Sequence, residues 1–142
     1  MNDVRGKQIS YIPQGSDNGL NPLYTVGRQI DESIRKQRRA SAREARRMTE
    51  ALLTRFGIEN APRLANAYPH TYSGGMRQRA LIAMGIASDA GLVLADEPTK
   101  GLDRHRIGMV IDAFQKLEGR TLLCVTHDLR LAKALADRIV VM

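Results

Sequence analysis

From residue 73 onward the chain alternates between two hydrophobic periods. Leu92 to Ala95 (LVLA), Thr121 to Val125 (TLLCV) and Arg138 to Met142 (RIVVM) are short, continuous apolar runs. Each is too short for a helix and reads as a buried strand. Helical patterns lie between them. The segment from about Gly75 to Ala87 is nearly all small and apolar beyond Arg79, which predicts a buried helix. After Asp103, the residues Ile107, Val110, Ile111, Phe114 and Leu117 recur at three- and four-residue spacing, the stripe of an amphipathic helix. Asp128 is placed to cap another helix, ending near Ala136. Apolar strands alternating with helices predict a parallel sheet in an α/β layer.

Upstream the texture is different. Lys7 to Pro13 (KQISYIP) predicts a strand with Ile9, Tyr11 and Pro13 as its apolar set, and Gln14 follows. The loop GSDNGLNP is rich in turn formers. A helix is expected from about Val26 to Arg38. A second opens at Ser41, where Ser41-x-x-Glu44 forms a capping box and Ala45, Met48, Ala51 and Leu52 keep helical spacing. Gly57 suits a left-handed terminator, and Asn60 with Pro62 suggests a short third helix. The chain thus divides into an all-helical stretch near residues 24–72 and an α/β stretch from 73 onward, with no internal repeat.

Charge sharpens this division. The 142 residues carry a formal net charge of +7, with 43% hydrophobic and 26% charged residues, the balance of a globular domain. Nine Lys or Arg against four acids lie between Arg28 and Arg55, so this stretch supplies most of the excess. A solvated helical face explains it, and no aromatic residues interleave as stacking platforms for single-stranded nucleic acid. The longest apolar run, Ala80 to Ala87, is far shorter than the roughly 18 residues a bilayer span needs. The first residues, MNDVRGKQIS, lack the apolar stretch of a secretory signal. One cysteine, Cys124, cannot form an internal disulfide, which suits a reducing cytoplasm.

The candidate chemistry sits at strand ends, where open α/β sheets bind ligands. LVLA runs directly into Asp96 and Glu97. An Asp there suits a Mg²⁺ ion, and a Glu one residue on suits a general base that polarises water. Two acids merely capping the next turn are the structural alternative, but adjacent acids at a buried strand end are costly for structure alone. TLLCVT ends at His127, placed to contact a terminal phosphate or the attacking water; a His capping a helix with Asp128 is its plainer reading. Gln14 has an amide for the metal or the water. His70 and His105 have no such neighbours and read as solvated. Finally, YSGGMRQR places Ser73, Gly74, Gly75 and Met76 at a helix start, where free N–H groups and the helix dipole attract an anion.

In order, the chain offers YIPQ, then YSGGMRQR, LVLADEPTKGLD and VTHD, with 58 residues separating Gln14 from Ser73. This series resembles the nucleotide-binding subunit of ABC transporters across nearly the whole chain. By resemblance, Gln14 is the Q-loop glutamine, contacting metal or water. Ser73, Gly74, Gly75 and Met76 form the signature motif. Leu92 to Asp96 is Walker B with Asp96 at the metal, and Glu97 is the catalytic acid. Gly101, Leu102 and Asp103 form the D-loop, and His127 is the switch histidine. GLNPLYTVG and YPHTYSGGMRQRALIAM look most like the ATPases of dipeptide, oligopeptide and nickel importers. The divisions implied are 1–23, the end of a core strand with the Q-loop; 24–87, the helical subdomain with the signature helix; and 88–142, the second half of the ATPase core.

The resemblance implies ATP and Mg²⁺ as cofactors, hydrolysis by attack of water on the γ-phosphate, and a head-to-tail pair of nucleotide-binding subunits. It also implies membrane permease subunits as partners, an extracytoplasmic solute-binding protein acting indirectly, and a place on the cytoplasmic face of the membrane. One departure stands out. G-x-x-x-x-G-K-[ST] occurs nowhere in the 142 residues. The expectation is therefore a piece of a longer subunit whose P-loop lies before residue 1, inactive by itself. An ABC-type ATPase of DNA repair or chromosome maintenance is the alternative; it expects a long coiled coil or zinc module where this chain has 58 residues. A basic RNA-binding helical module, the third class, leaves the acids, glycines and His127 unexplained.

Overall fold

A helix laid against a parallel sheet organises the protein, seen here in a computed structural model that describes residues 8–15, 19–117 and 119–141. The elements follow in the order β1 (Ile9–Ile12), α1 (Val26–Arg38), α2 (Ala42–Arg55), α3 (Ala61–Leu64), α4 (Gly74–Ala87), β2 (Leu92–Asp96), α5 (Arg104–Gln115), β3 (Thr121–Val125) and α6 (Leu129–Leu135). A short 3₁₀ turn at Pro69–Thr71 precedes α4. The three strands form one parallel sheet in the order β1-β2-β3. Ile12 pairs with Ala95, and Ala95 in turn with Cys124. The α/β layer and the parallel sheet agree with the sequence pattern.

Local chemistry sets the helix limits. Thr25 Oγ1 caps α1 by accepting the Arg28 N–H, while Arg35, Lys36 and Arg38 crowd the last turn, where the helix dipole favours cations. The Ser41 capping box forms as read: Ser41 Oγ accepts the Glu44 N–H, and the Glu44 carboxylate accepts the Ser41 N–H. The Ser41 hydroxyl and then the Ser41 N–H hold the Glu44 carboxyl below the ordinary carboxylate range. A depressed folded value means this cap contributes at neutral pH and is lost as pH falls through that value. Gly57, at φ +66°, follows α2 in the left-handed conformation its sequence position suggested.

Three expectations about faces and strands are corrected. On β1 the buried side chains are Ser10 and Ile12, not the Ile9, Tyr11 and Pro13 set. Tertiary contact decides this, because Ser10 Oγ donates to the Gly85 carbonyl at 2.7 Å and Ile12 packs where Gly85 has no side chain. On α2 the buried residues are Ala45, Thr49 and Leu53, while Ala51 is exposed; the stripe is rotated by about one position toward α1 and α4. Residues 138–141 form no strand and lie exposed, and Met142 lies outside the described residues. A strand exists only through its ladder, and the pairing ends at β3.

The core runs through Ile30 and Ile34 of α1, Leu53 of α2, Phe56 and Ile58 beyond it, and Leu81 and Ile82 of α4, all essentially fully buried. It continues into the sheet through Ile12, Val93 and Ala95. The opposite sheet face carries Tyr11, Leu123 and Val125, each more than half exposed. The strands are therefore covered on one face rather than both, which is why β3 alternates exposed with half-buried residues.

A side chain at Gly85 would overlap Ile12 Cγ1, whereas one at Gly91 meets nothing within 4 Å. Overpacking costs about 1–3 kcal/mol, which outweighs the ~0.5 kcal/mol that Val gains over Gly in a helix. Gly85→Val is therefore expected to lower the denaturation midpoint clearly and Gly91→Val hardly at all. Equal midpoints would show that α4 does not lie this close to β1.

Candidate functional site

Parallel pairing carries the chemistry to one edge of the sheet. Asp96 ends β2 and pairs in register with Val125, the last residue of β3. Gln14 lies two residues beyond Ile12, the end of β1, and His127 two beyond Val125. Gln14, Asp96, Glu97 and His127 thus stand together at the carboxyl ends of three adjacent strands, Gln14 and His127 exposed and the two acids half-buried.

Glu97 is the most constrained of them. Its φ of +46° is left-handed, which costs a non-glycine residue about 1 kcal/mol or more and marks a site held by its surroundings. Those surroundings are visible. The Glu97 N–H donates to the Val125 carbonyl at 2.8 Å, extending the β2–β3 ladder by one bond. Glu97 Oε1 accepts the His127 backbone N–H at 3.0 Å and lies 2.9 Å from His127 Nδ1. With an ionised Glu97, Nδ1 carries the proton and Nε2 of the neutral ring is left as an acceptor. Glu97 Oε2 is buried and has no hydrogen-bond partner among the described residues. One carboxylate oxygen is tied down, and the other is bare.

The second group surrounds the start of α4. Ser73 is the N-cap, and its Oγ accepts the Met76 N–H at 3.3 Å, leaving the hydroxyl proton free to donate. The exposed Ser73 and Gly74, with the half-buried Gly75 and Met76, present the helix N-terminus. Asp103 caps α5 by accepting the Arg106 N–H at 3.0 Å and pairs with the Arg106 guanidinium. The Arg106 N–H is the main cause holding the Asp103 carboxyl below its ordinary value. Ser73, Gly75 and Met76 line an open cavity of about 560 Å³ together with Gly101, Leu102, Arg79 and Arg106. A neighbouring cleft of about 470 Å³ joins Thr99–Leu102 to His127 and Asp128. The loop 99–102 therefore borders both groups, and Gly101, at φ +76°, makes its turn.

Sequence reading missed two residues here. Gln78 and Arg79 are only 2% and 3% exposed, although they are polar and lie next to the apolar run of α4. Gln78 Nε2 donates to the Pro98 carbonyl at 3.3 Å. Arg79 Nη1 lies near the position a Cβ would take on Gly75. Burial lowers the Arg79 pKa, with Arg106 adding to the effect. Helical periodicity gave no signal for either, since their burial depends on what packs above α4. The two histidines read as solvated are both exposed, His70 stacking on Tyr68.

The chemistry a metal would need can be tested on the donor set. No group of three or more His, Cys, Asp or Glu able to hold a metal occurs among the described residues. Mg²⁺ asks for less: one or two carboxylates, with waters and phosphate oxygens completing its shell. Asp96, beside a Glu97 oxygen that no protein donor satisfies, fits that demand.

Acids and a histidine at one edge of a parallel sheet, with a glycine-rich helix start bordering the same loop 99–102, define an α/β protein of the cassette type in its arrangement. Solved structures agree. The chain superposes with a TM-score of 0.82 at 30% identity on the ATP-binding cassette MJ0796, described as a dimeric post-hydrolysis state bound to ADP and Pi, covering 94% of this chain and 58% of that one. The ABC transporter family matches residues 2–100, and the chain belongs to that family. Among its relatives, a putative peptide import ATP-binding protein of Brucella ovis is 45% identical over 145 residues, covering all of this chain and 43% of that protein. The dipeptide transport ATP-binding protein DppD of Bacillus subtilis is 36% identical, again over all of this chain and 43% of its own length. The chain spans less than half the length of these curated relatives.

Burial beside the acids leaves a mark on Cys124. Burial, and then the charges of Glu97 and Asp96, push the Cys124 thiol up to about 11. A raised value means the neutral thiol persists through the physiological range. Alkylation of Cys124 by iodoacetamide is therefore expected to be slow at pH 8 and to accelerate only toward about pH 11. An inflection at the ordinary thiol value would show that Cys124 is not buried beside the acids as described.

Proposed function

We propose that the chain is part of the ATP-hydrolysing subunit of an ABC importer that takes up a peptide or similar small solute. One observation carries this reading: at the end of the central parallel strand, Glu97 has one oxygen held by His127 and the other buried without a partner. A bare carboxylate oxygen in that position is suited to accept a proton from water attacking a phosphate. His127, anchored through its backbone and Nδ1, fixes the carboxylate and turns Nε2 outward toward a terminal phosphate. Asp96 and Gln14 would hold Mg²⁺, which supplies charge neutralisation on the phosphates when bound.

Ser73, Gly74 and Gly75 fit the other half of such a site. Their free N–H groups and the Ser73 hydroxyl proton favour an anion, here the γ-phosphate of a nucleotide held by a second subunit arranged head to tail. Met76 continues this turn, and Asp103 orders the loop beside it. The name of the solved cassette, dimeric and bound to ADP and Pi, supports a paired arrangement. The helical stretch between Gln14 and Ser73 would receive membrane permease subunits, and a solute-binding protein would act through them. Among the described residues no helix is long and apolar enough to cross a membrane, which suits a subunit peripheral to the cytoplasmic face. Transport, rather than DNA repair, is favoured by the import names of the relatives described above.

The divisions 1–23, 24–87 and 88–142 are kept as functional units on this reading. The lysine of a P-loop is absent from these 142 residues, so the isolated chain is expected to bind MgATP weakly and to show no turnover by calorimetry and phosphate release. Micromolar affinity with turnover would overturn that. In the gene product assembled with its transport partners, Glu97→Gln is expected to lower ATP turnover by about 10²- to 10⁴-fold while leaving MgATP binding intact. Unchanged turnover would remove Glu97 from the chemistry.

A further inference from the structure

Glu97 is held on one side by β3 and His127, but its left-handed turn also has a second support, from the helix that starts at Ser73. Gln78 Nε2 donates to the Pro98 carbonyl at 3.3 Å across 20 residues of sequence. Gln78 is 2% exposed, and its neighbours in this contact, Pro98 and Thr99, are buried as well. A buried amide is ordered, and moving it costs the desolvation of any group left unpaired. The Pro98 carbonyl lies one residue beyond the strained Glu97 backbone, so fixing that peptide fixes ψ of Pro98 and the exit of the turn. The turn then closes through Lys100 N–H to the Glu97 carbonyl at 3.1 Å and Leu102 N–H to the Thr99 carbonyl at 3.1 Å.

From this geometry we infer that Gln78 is a positioning residue that joins the anion-attracting start of α4 to the Glu97 turn of the same chain. The inference rests on the nucleotide reading of the site. Gln78 lies five residues after the Ser73 cap, on a fourteen-residue helix whose later turns are buried against β1, α1 and α2. Such a helix moves as a body, so a shift at Ser73–Gly75 is carried to Gln78 and, through its amide, to Pro98. The consequence is specific. If Ser73–Gly75 meets a phosphate held by a second subunit, and Glu97 acts on a phosphate held by its own, then Gln78 links the two sites. That link needs no residue of the loop 101–103 and runs through one hydrogen bond.

Two measurements test it. The first needs no activity. In the purified chain, Gln78→Met and Gln78→Asn remove the bond, the first by losing the amide and the second by being one methylene short. Amide exchange at Lys100 and Leu102 is expected to rise about fivefold in either variant, while exchange in β2 and in the body of α5 is unchanged. Protection that stays at the wild-type level in a folded variant overturns the positioning role.

The second uses the gene product assembled with its transport partners and MgATP. Each Gln78 variant is expected to lower kcat by about tenfold with KM for MgATP unchanged, a split that general destabilisation does not produce. The effect of Ser73→Ala on kcat is expected to shrink when combined with Gln78→Met, because the same link is already broken. Strictly multiplicative losses overturn the coupling between the two sites. A wild-type gene product that shows no ATP turnover when assembled with its transport partners would defeat the nucleotide reading itself, and the exchange measurement would still decide whether Gln78 holds the turn.

Discussion

The close approach of α4 to β1 is the constraint on which the molecule depends. Gly85 has no side chain, Ile12 fills the space, and the Ser10 hydroxyl bonds the Gly85 carbonyl in the same contact. Across this seam the helical stretch packs onto the sheet, since α4 also packs on α1 and α2. The site inherits its geometry from the seam. The N-terminus of α4 faces the loop 99–102 because its far end is pinned to β1, and the strand ends stay level because β1 and β3 pair with β2 in register.

Around that seam the polar groups are arranged with unequal satisfaction. Ser41, Asp103 and Asp128 each cap a helix and are accounted for by hydrogen bonds to nearby backbone N–H groups. Glu97 is different: a left-handed backbone, one oxygen held twice by His127 and one left bare. Asp31 on α1 also pairs one carboxylate oxygen, with Arg46, and has the other buried without a hydrogen-bond partner among the described residues. Glu97 is set apart by its left-handed backbone and by its place at the carboxyl edge of the sheet, where the ladder ends and open α/β sheets bind ligands. Membership of the ABC transporter family gives that position a context, and the proposed function gives the bare oxygen a chemical use.

Much of this was legible from residue order. The five helix starts with a capping side chain, at Thr25, Ser41, Ser73, Asp103 and Asp128, are local features, and four of them were marked by residue type alone. The strands leading to Asp96 and His127 were equally visible as short apolar runs. The acids and His127 each had a plainer reading as turn or helix caps, and only the order of the motifs favoured the chemical one. The faces were less legible. Ile9 and Tyr11 look as apolar as Ile12, and Ala51 as buriable as Thr49, yet the fold buries Ile12 and Thr49. Residues 138–141 have strand composition and no strand, since pairing is supplied by a partner and not by the segment.

The sequence by itself determined the order of the elements, the caps that begin them and the residue types that reach the sheet edge, because each depends on neighbours a few residues away. Only the tertiary structure decided which face of β1 and α2 turns inward. It alone brought His127 to within a hydrogen bond of Glu97, thirty residues earlier, and carried the Gln78 amide to Pro98. Those contacts depend on how helices and strands distant along the chain settle against one another, and the packing at Gly85 is what settles them.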